Sequence, residues 1–154
     1  MLSPGVTFEE FAATIGGRLR AGLVAAYGPD NGIDAAAEAL AYGWEHWARI
    51  SAMANPSGYL YRVGQTAARR QRKLQGFLPA PPPHVLPDFE PRLIPALESL
   101  SDAQRVCVVM VHAYGWGQSE VADLLDVHPS TVRTHLARAI NHLQQLLEVS
   151  RHAD

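Results

Sequence analysis

The chain is predicted to be all-α: two small helical domains joined by a proline-rich linker, the second containing a helix-turn-helix. Three observations predict this. Apolar residues recur at intervals of three and four over segments long enough for amphipathic helices. No alternation of apolar and polar residues is long enough to argue for a sheet. Seven prolines fall between Gly76 and Pro95, including Pro81-Pro82-Pro83, and this composition prevents a continuous helix while favouring a stiff, extended chain. The expected boundaries are 1–75 for the first domain, 76–92 for the linker and 93–154 for the second domain.

In the first domain, Phe8, Phe11, Ile15, Leu19 and Leu23 recur near one turn, and Gly28-Pro29 ends that helix. A second helix is expected from about Asp34, carrying Leu40, Trp44 and Trp47 on a partly shared face and ending before Asn55-Pro56. A third begins at Pro56 or Ser57 and runs through Tyr59, Leu60, Val63 and Ala67 into a basic cluster. After the linker, Leu93, Leu97 and Leu100 mark a short helix. Ser101 with Gln104 forms a capping box, and Val106, Val109, Met110 and Ala113 give the next helix a buried face.

The segment Gly117–Glu148 then reads as a helix-turn-helix. Val121, Leu124 and Leu125 form the apolar set of its first helix, Ser119 is the expected N-cap, and Val127 the expected buried plug of the turn. Asp126 and His128 replace the usual turn glycine and strong cap; Asp tolerates a left-handed backbone, so the assignment stands. The second helix can start at Pro129, whose missing N–H costs nothing in a first turn. It repeats apolar residues at Val132, Leu136, Ile140, Leu143 and Leu147, leaving Ser130, Thr131, Arg133 and Thr134, with Arg138 a turn further on, to meet bases and phosphates. A helical hairpin with a merely solvated polar face is the alternative.

Composition limits the function classes. The single cysteine, Cys107, sits in an apolar run, so no internal disulfide forms and a buried thiol is expected. No leader or membrane span is expected, which favours a cytoplasmic protein. The formal net charge of -2 argues against indiscriminate coating of nucleic acid, yet from His46 to Pro87 there are six basic residues and no acidic one. Such a local cluster attracts phosphates even on a slightly acidic chain. His128, His135 and His142 are seven residues apart; each step is roughly 10 Å of helix rise, too far to share one ion. No phosphate-binding glycine fingerprint or hydrolase triad order is present, so no catalysis, cofactor or metal is expected.

With the motifs in view, the organisation resembles the extracytoplasmic-function type of sigma factor, the smallest class of the sigma-seventy family. The stretch LSDAQRVCVVMVHAYGWGQSEVADLLDVHPSTVRTHLARAINHL is similar to region four: a leucine-serine opening, a helix ending in an aromatic-glycine turn, and a helix-turn-helix containing S-T-V-R. IDAAAEALAYGW, Ile33 to Trp44, resembles the acidic region-two helix, with Asp34, Glu38, Ala39 and Trp44 in agreement, but with Ala35 and Ala37 where the family usually has Leu and Gln. NPSGYLYRVGQTAARRQRK resembles the helix that melts promoters and reads the minus-ten element, through Pro56, Tyr59, Leu60, Arg62 and Val63. Gln65-Thr66 and Arg70 depart from that pattern.

The resemblance implies a transcription initiation factor whose partners are core RNA polymerase, promoter DNA and an anti-sigma factor or other regulatory protein. It implies polymerase docking through Asp34, Glu38 and Trp44. Physically, Arg62, Arg69, Arg70, Arg72 and Lys73 can hold phosphates, and Tyr59 or Tyr61 can stack on an unpaired base; Tyr59 can equally be a core aromatic. Two other readings remain: a sigma-derived DNA-binding regulator with weak or no core-polymerase binding, and an interaction module that sequesters an anti-sigma partner.

Overall fold

Thr7 starts the first helix. Its hydroxyl accepts from the Glu10 N–H while the Glu10 carboxylate accepts from the Thr7 N–H, so two otherwise orphaned donors are satisfied reciprocally. In the computed structural model, which describes residues 5–75 and 92–152, this helix, α1, runs Phe8–Tyr27. It ends at Gly28, whose φ of 89° suits a residue without a Cβ, and Pro29 opens α2, Pro29–Glu45, directly. The second helix therefore starts about five residues earlier than periodicity suggested: Asn31 and Gly32 are buried in its first turn, although neither looks apolar. A short α3, Trp47–Ile50, and then α4, Pro56–Gln75, complete the first module. No helix among the described residues is long and apolar enough to cross a membrane.

Close approach of α2 to α1 depends on small residues. A Cβ on Gly32 would stand 2.5 Å from the Val24 Cα, and Ala35, Ala36 and Ala39 face the same way. Trp47 closes the end of the bundle, its indole N–H donating to the Val6 carbonyl at 3.1 Å and its ring packed on Phe8 and Phe11. Of Trp44 and Trp47, Trp47 is thus the packing residue.

The second module comprises α5, Leu93–Glu98, α6, Asp102–Val108, α7, Gln118–Leu125, and α8, Pro129–His152. The Ser101–Gln104 capping box forms as expected. Beyond Val108 the helix widens into a π turn, Val109–Ala113, with the Tyr114 N–H bonded to the Val109 carbonyl. One extra residue in a turn rotates the succeeding side chains by about 100°. Met110 stays buried, while Val109 is only half-buried and Ala113 is exposed, against the expectation for both.

The two modules share one continuous core. Leu19, Leu23 and Tyr61 of the first cluster with Val106, Met110 and Leu124 of the second. Gly22 leaves room for this: a Cβ there would lie 2.8 Å from Leu124 Cδ2. The decisive polar contact is Arg105, whose side chain is only 15% exposed. Its guanidinium donates to the Ala25 carbonyl at 2.7 Å and to the Ala26 carbonyl, both in the last turn of α1, and also to Asp102 at 2.8 Å. Helix α1 has no basic residue in its own last turn, so Arg105 supplies from the other module the cation that a helix C-terminus favours. The proline-rich segment predicted to join the modules falls, from 76 to 91, outside the described residues.

Two glycines give contrasting expectations. Gly32→Ala forces a Cβ against backbone that cannot rotate away and should cost about 3 kcal/mol or more in urea unfolding. Gly17→Ala, in the same bundle but facing open space, should stabilise by up to about 1 kcal/mol.

Candidate nucleic-acid interface

The helix-turn-helix is built from α7, a three-residue turn and α8. Gly117, not Ser119, is the N-cap of α7: the helix begins one residue before Ser119, and no side chain caps it. Val121, Ala122 and Leu124 face the core. Asp126 adopts the left-handed conformation, φ 55°, and the Val127 N–H returns to the Ala122 carbonyl at 3.0 Å, closing a Schellman-type end. Val127 itself is 37% exposed rather than a buried plug, because that closure turns its side chain outward. His128 acts as the cap of α8, its Nδ1 accepting from the Ser130 N–H at 3.2 Å and lying 2.8 Å from the Ser130 hydroxyl.

Along α8, Val132, Leu136 and Ala139 point inward. Ser130, Thr134 and Arg138 stand at four-residue spacing on the outer side, with Arg133 beside them; all four are exposed and Thr131 is half-buried. The predicted recognition residues therefore share one face of one helix, at its N-terminal end. Further along, Ile140 and Leu146 are exposed, against the packed role expected of Ile140, while Ala139 and Leu143 meet the core.

Helix α4 divides its cations among four neighbours. Arg62 meets Asp126 of the helix-turn-helix at 2.7 Å, and Arg70 pairs with Glu38 of α2. Arg72 lies over the Tyr27 ring at 4.9 Å and 3.7 Å from Asp102. Arg69 is exposed; the side chain of Lys73 falls outside the described residues. Arg62, Arg70 and Arg72, read as parts of one basic cluster, thus point different ways round the helix.

The two candidate stacking tyrosines separate cleanly. Tyr61 is buried at 2% exposure, and burial pushes its phenol far up, so it is a core residue and not a base contact, contrary to the expectation that it could stack on an unpaired base. Tyr59 is half-buried and lies beside Tyr42, with the Arg49 guanidinium 5.7 Å over its ring. Arg49 also donates to the Tyr42 hydroxyl at 2.9 Å. The Tyr42 hydroxyl and then Arg49 lower the Tyr59 phenol from its ordinary value, while Tyr59 raises that of Tyr42. Sequence reasoning had no signal for Arg49 beyond its charge, since its partners stand seven and ten residues away across a helix break.

On the outer face of α2, Asp34, Ala37, Glu38 and Trp44 are exposed, with Ile33 at 39% and Trp44 at 59%. Phe8 supports Trp44 edge-on at 5.7 Å. Ala35 is fully buried. Among the described residues no group of three or more His, Cys, Asp or Glu side chains is arranged to hold a metal ion.

These features define a helical protein with a helix-turn-helix module packed on a second bundle. Residues 92–143 match the family model for sigma-70, region 4, so the second module is a region 4 domain. The chain is similar in fold to the sigma factor RpoE, solved in complex with the anti-sigma factor NepR from Bartonella quintana. That match has a TM-score of 0.62 at 21% identity and covers 92% of this chain and 97% of that one. It is also similar to CnrH, solved in complex with the cytosolic domain of CnrY, with a TM-score of 0.56 at 19% identity over 92% of this chain and 88% of that one. No curated protein matches the chain by sequence. The resemblance to sigma factors thus stands on a family match in the second module and on fold across both.

Cys107 offers a check on the packing beneath this interface. Its thiol is buried beside Val106 and Met110, and desolvation pushes it up to about 11. The native chain should resist thiol alkylation at pH 8 and react only on unfolding. Since an unfolded thiol ionises near pH 8.5, stability should begin to fall as pH rises past that value.

Proposed function

We propose that the chain is a sigma factor: it binds core RNA polymerase through the first module and promoter DNA through both. The observation that carries this is the exposed row Ser130, Arg133, Thr134 and Arg138 at the N-terminal end of α8, set in a region 4 domain. A helix so presented fits the major groove, where bidentate Arg contacts to guanine discriminate bases. In this reading the second module reads the minus-thirty-five element. The first holds the separated minus-ten strand through Tyr59, Arg62, Arg69, Arg70, Arg72 and Lys73. Catalysis of nucleotide transfer belongs to the polymerase.

The outer face of α2 supplies the polymerase contact. Asp34 and Glu38 provide charge, and Trp44, exposed but braced by Phe8, has the character of an interface anchor. The alternative, a regulator that no longer binds polymerase, draws on Ala35 and Ala37. Ala35 is buried and cannot enter any docking contact, so only Ala37 weighs on that side. A protein of the anti-sigma type is a further partner, by likeness to the RpoE complex.

Promoter engagement requires the modules to part. Asp126 touches Arg62, and three residues to the start of α8 span at most about 11 Å. Minus-ten and minus-thirty-five elements lie about 25 base pairs apart, roughly 85 Å of straight duplex at about 3.4 Å per pair. The packed arrangement cannot reach both.

The purified chain should co-elute with active core polymerase, with labels in the two modules farther apart in that complex, and Trp44→Ala should weaken it about tenfold or more. Failure to bind at low and moderate salt would favour the regulator reading. Arg133→Ala should lose roughly 1–3 kcal/mol of discrimination across minus-thirty-five variants if Arg133 makes a bidentate base contact. An unchanged sequence preference would remove Arg133 from base reading.

A further inference from the structure

The Arg62–Asp126 pair joins a side chain assigned to promoter DNA with the turn of the helix-turn-helix. Both side chains remain exposed, 63% and 47%, so the contact is open to exchange with an anion from solution. Asp126 is held there by its backbone: it is the one non-glycine residue of positive φ among the described residues, fixed by the end of α7. Around it, Asn55 Nδ2 donates to the Asp123 carbonyl at 2.7 Å and lies 3.4 Å from the Asp126 carboxylate. A cleft of about 410 Å³ opens alongside, lined in part by Asn55, Ser57, Asp123 and Asp126.

We propose that the helix-turn-helix turn is an internal competitor of DNA: the Asp126 carboxylate occupies, on Arg62, the position that a strand phosphate takes when the promoter binds. This rests on the proposed role of Arg62 as a phosphate contact. Carboxylate and phosphate oxygens accept from the same guanidinium fork, and one guanidinium cannot present that edge to both. The exchange is also unfavourable at first contact, because Asp123 and Asp126 place negative charge where the incoming backbone must pass. The packed chain therefore holds single strands weakly, and separation of the modules frees Arg62 for promoter DNA.

The test uses the full chain and a short fluorescein-labelled single-stranded DNA oligonucleotide, with affinity read by anisotropy at low salt and helix content checked for each variant. Asn tolerates the left-handed backbone, so Asp126→Asn should fold. It should bind about two- to fivefold more tightly than the parent, the range expected for releasing an exposed ion pair. Arg62→Ala should bind more weakly, and the double variant should match Arg62→Ala, because no guanidinium remains to be released. If Asp126→Asn gains nothing while Arg62→Ala still weakens binding, the competition is refuted and the DNA role of Arg62 survives. A gain that persists in the Arg62→Ala background is a general charge effect and also refutes it. If Arg62→Ala changes nothing, the assignment of Arg62 to phosphate fails, and the proposal with it.

Discussion

The arrangement of the molecule depends on one guanidinium. Helix α1 ends with carbonyls that its own sequence leaves without a cation, and Arg105, from the other module, donates to two of them. A charge so little exposed is tolerable only with most of its donors satisfied, and Asp102 and the Leu100 carbonyl complete the set. This fixes the angle at which α6 meets α1, and with it the approach of α7 to α4. Gly22, with Leu124 against it, then lets the two bundles share a core. Around this buried contact the bridges Arg18–Glu120, Arg62–Asp126 and Arg72–Asp102 are partly or largely exposed and individually weak. The boundary is thus specific at its centre and exchangeable at its rim, as expected of domains that can part.

Charge in this protein is distributed by pairing. The run from His46 to Pro87 contains no acid, and taken alone it suggests a bare basic strip. Folding brings acids to it from elsewhere: Glu38 from α2, Asp102 from α6 and Asp126 from the helix-turn-helix turn. In the proposed role of α4, nucleic-acid binding through Arg62, Arg70 and Arg72 is consequently an exchange of anions. Glu38 also ties the outer face of α2 to Arg70, so anything that draws Glu38 away alters the charge presented by α4.

What the sequence made legible was local. Apolar spacing located α1, α4 and α8, Gly28-Pro29 marked a boundary, and the Ser101–Gln104 box formed because both partners lie within one turn. The Thr7–Glu10 box has the same spacing and is readable on the same grounds. The misreadings arose where a distant partner decides the outcome. Residues 59 and 61 are about 200° apart on a helix, and only the packing of α1 and α6 shows that Tyr61 faces inward. The π turn depends on how the end of α6 meets α1, which no periodicity encodes. Likewise the exposed polar row on α8 was visible in sequence, whereas Arg105 and the pairing of Arg62 with Asp126 join residues 79 and 64 positions apart.

The two alanines of α2 show how structure changes the weight of a sequence difference. Judged by motif alone, Ala35 and Ala37 subtract equally from a docking helix. In the fold they lie on opposite sides. Ala35 belongs with Gly32, Ala36 and Ala39 to a face of small residues that brings the α2 backbone against α1 at Val24; a larger residue there would push the helices apart. Ala37 lies outside, between Asp34 and Glu38, and removes polar reach from a face that keeps Asp34, Glu38 and the exposed Trp44. An interface that gives up one hydrogen-bonding side chain but keeps its apolar anchor loses orientation before it loses affinity, because buried apolar area drives association while polar contacts set register. Under the proposed docking of this face on polymerase, the divergence of the helix therefore bears on which polymerase surface it fits more than on whether it binds one.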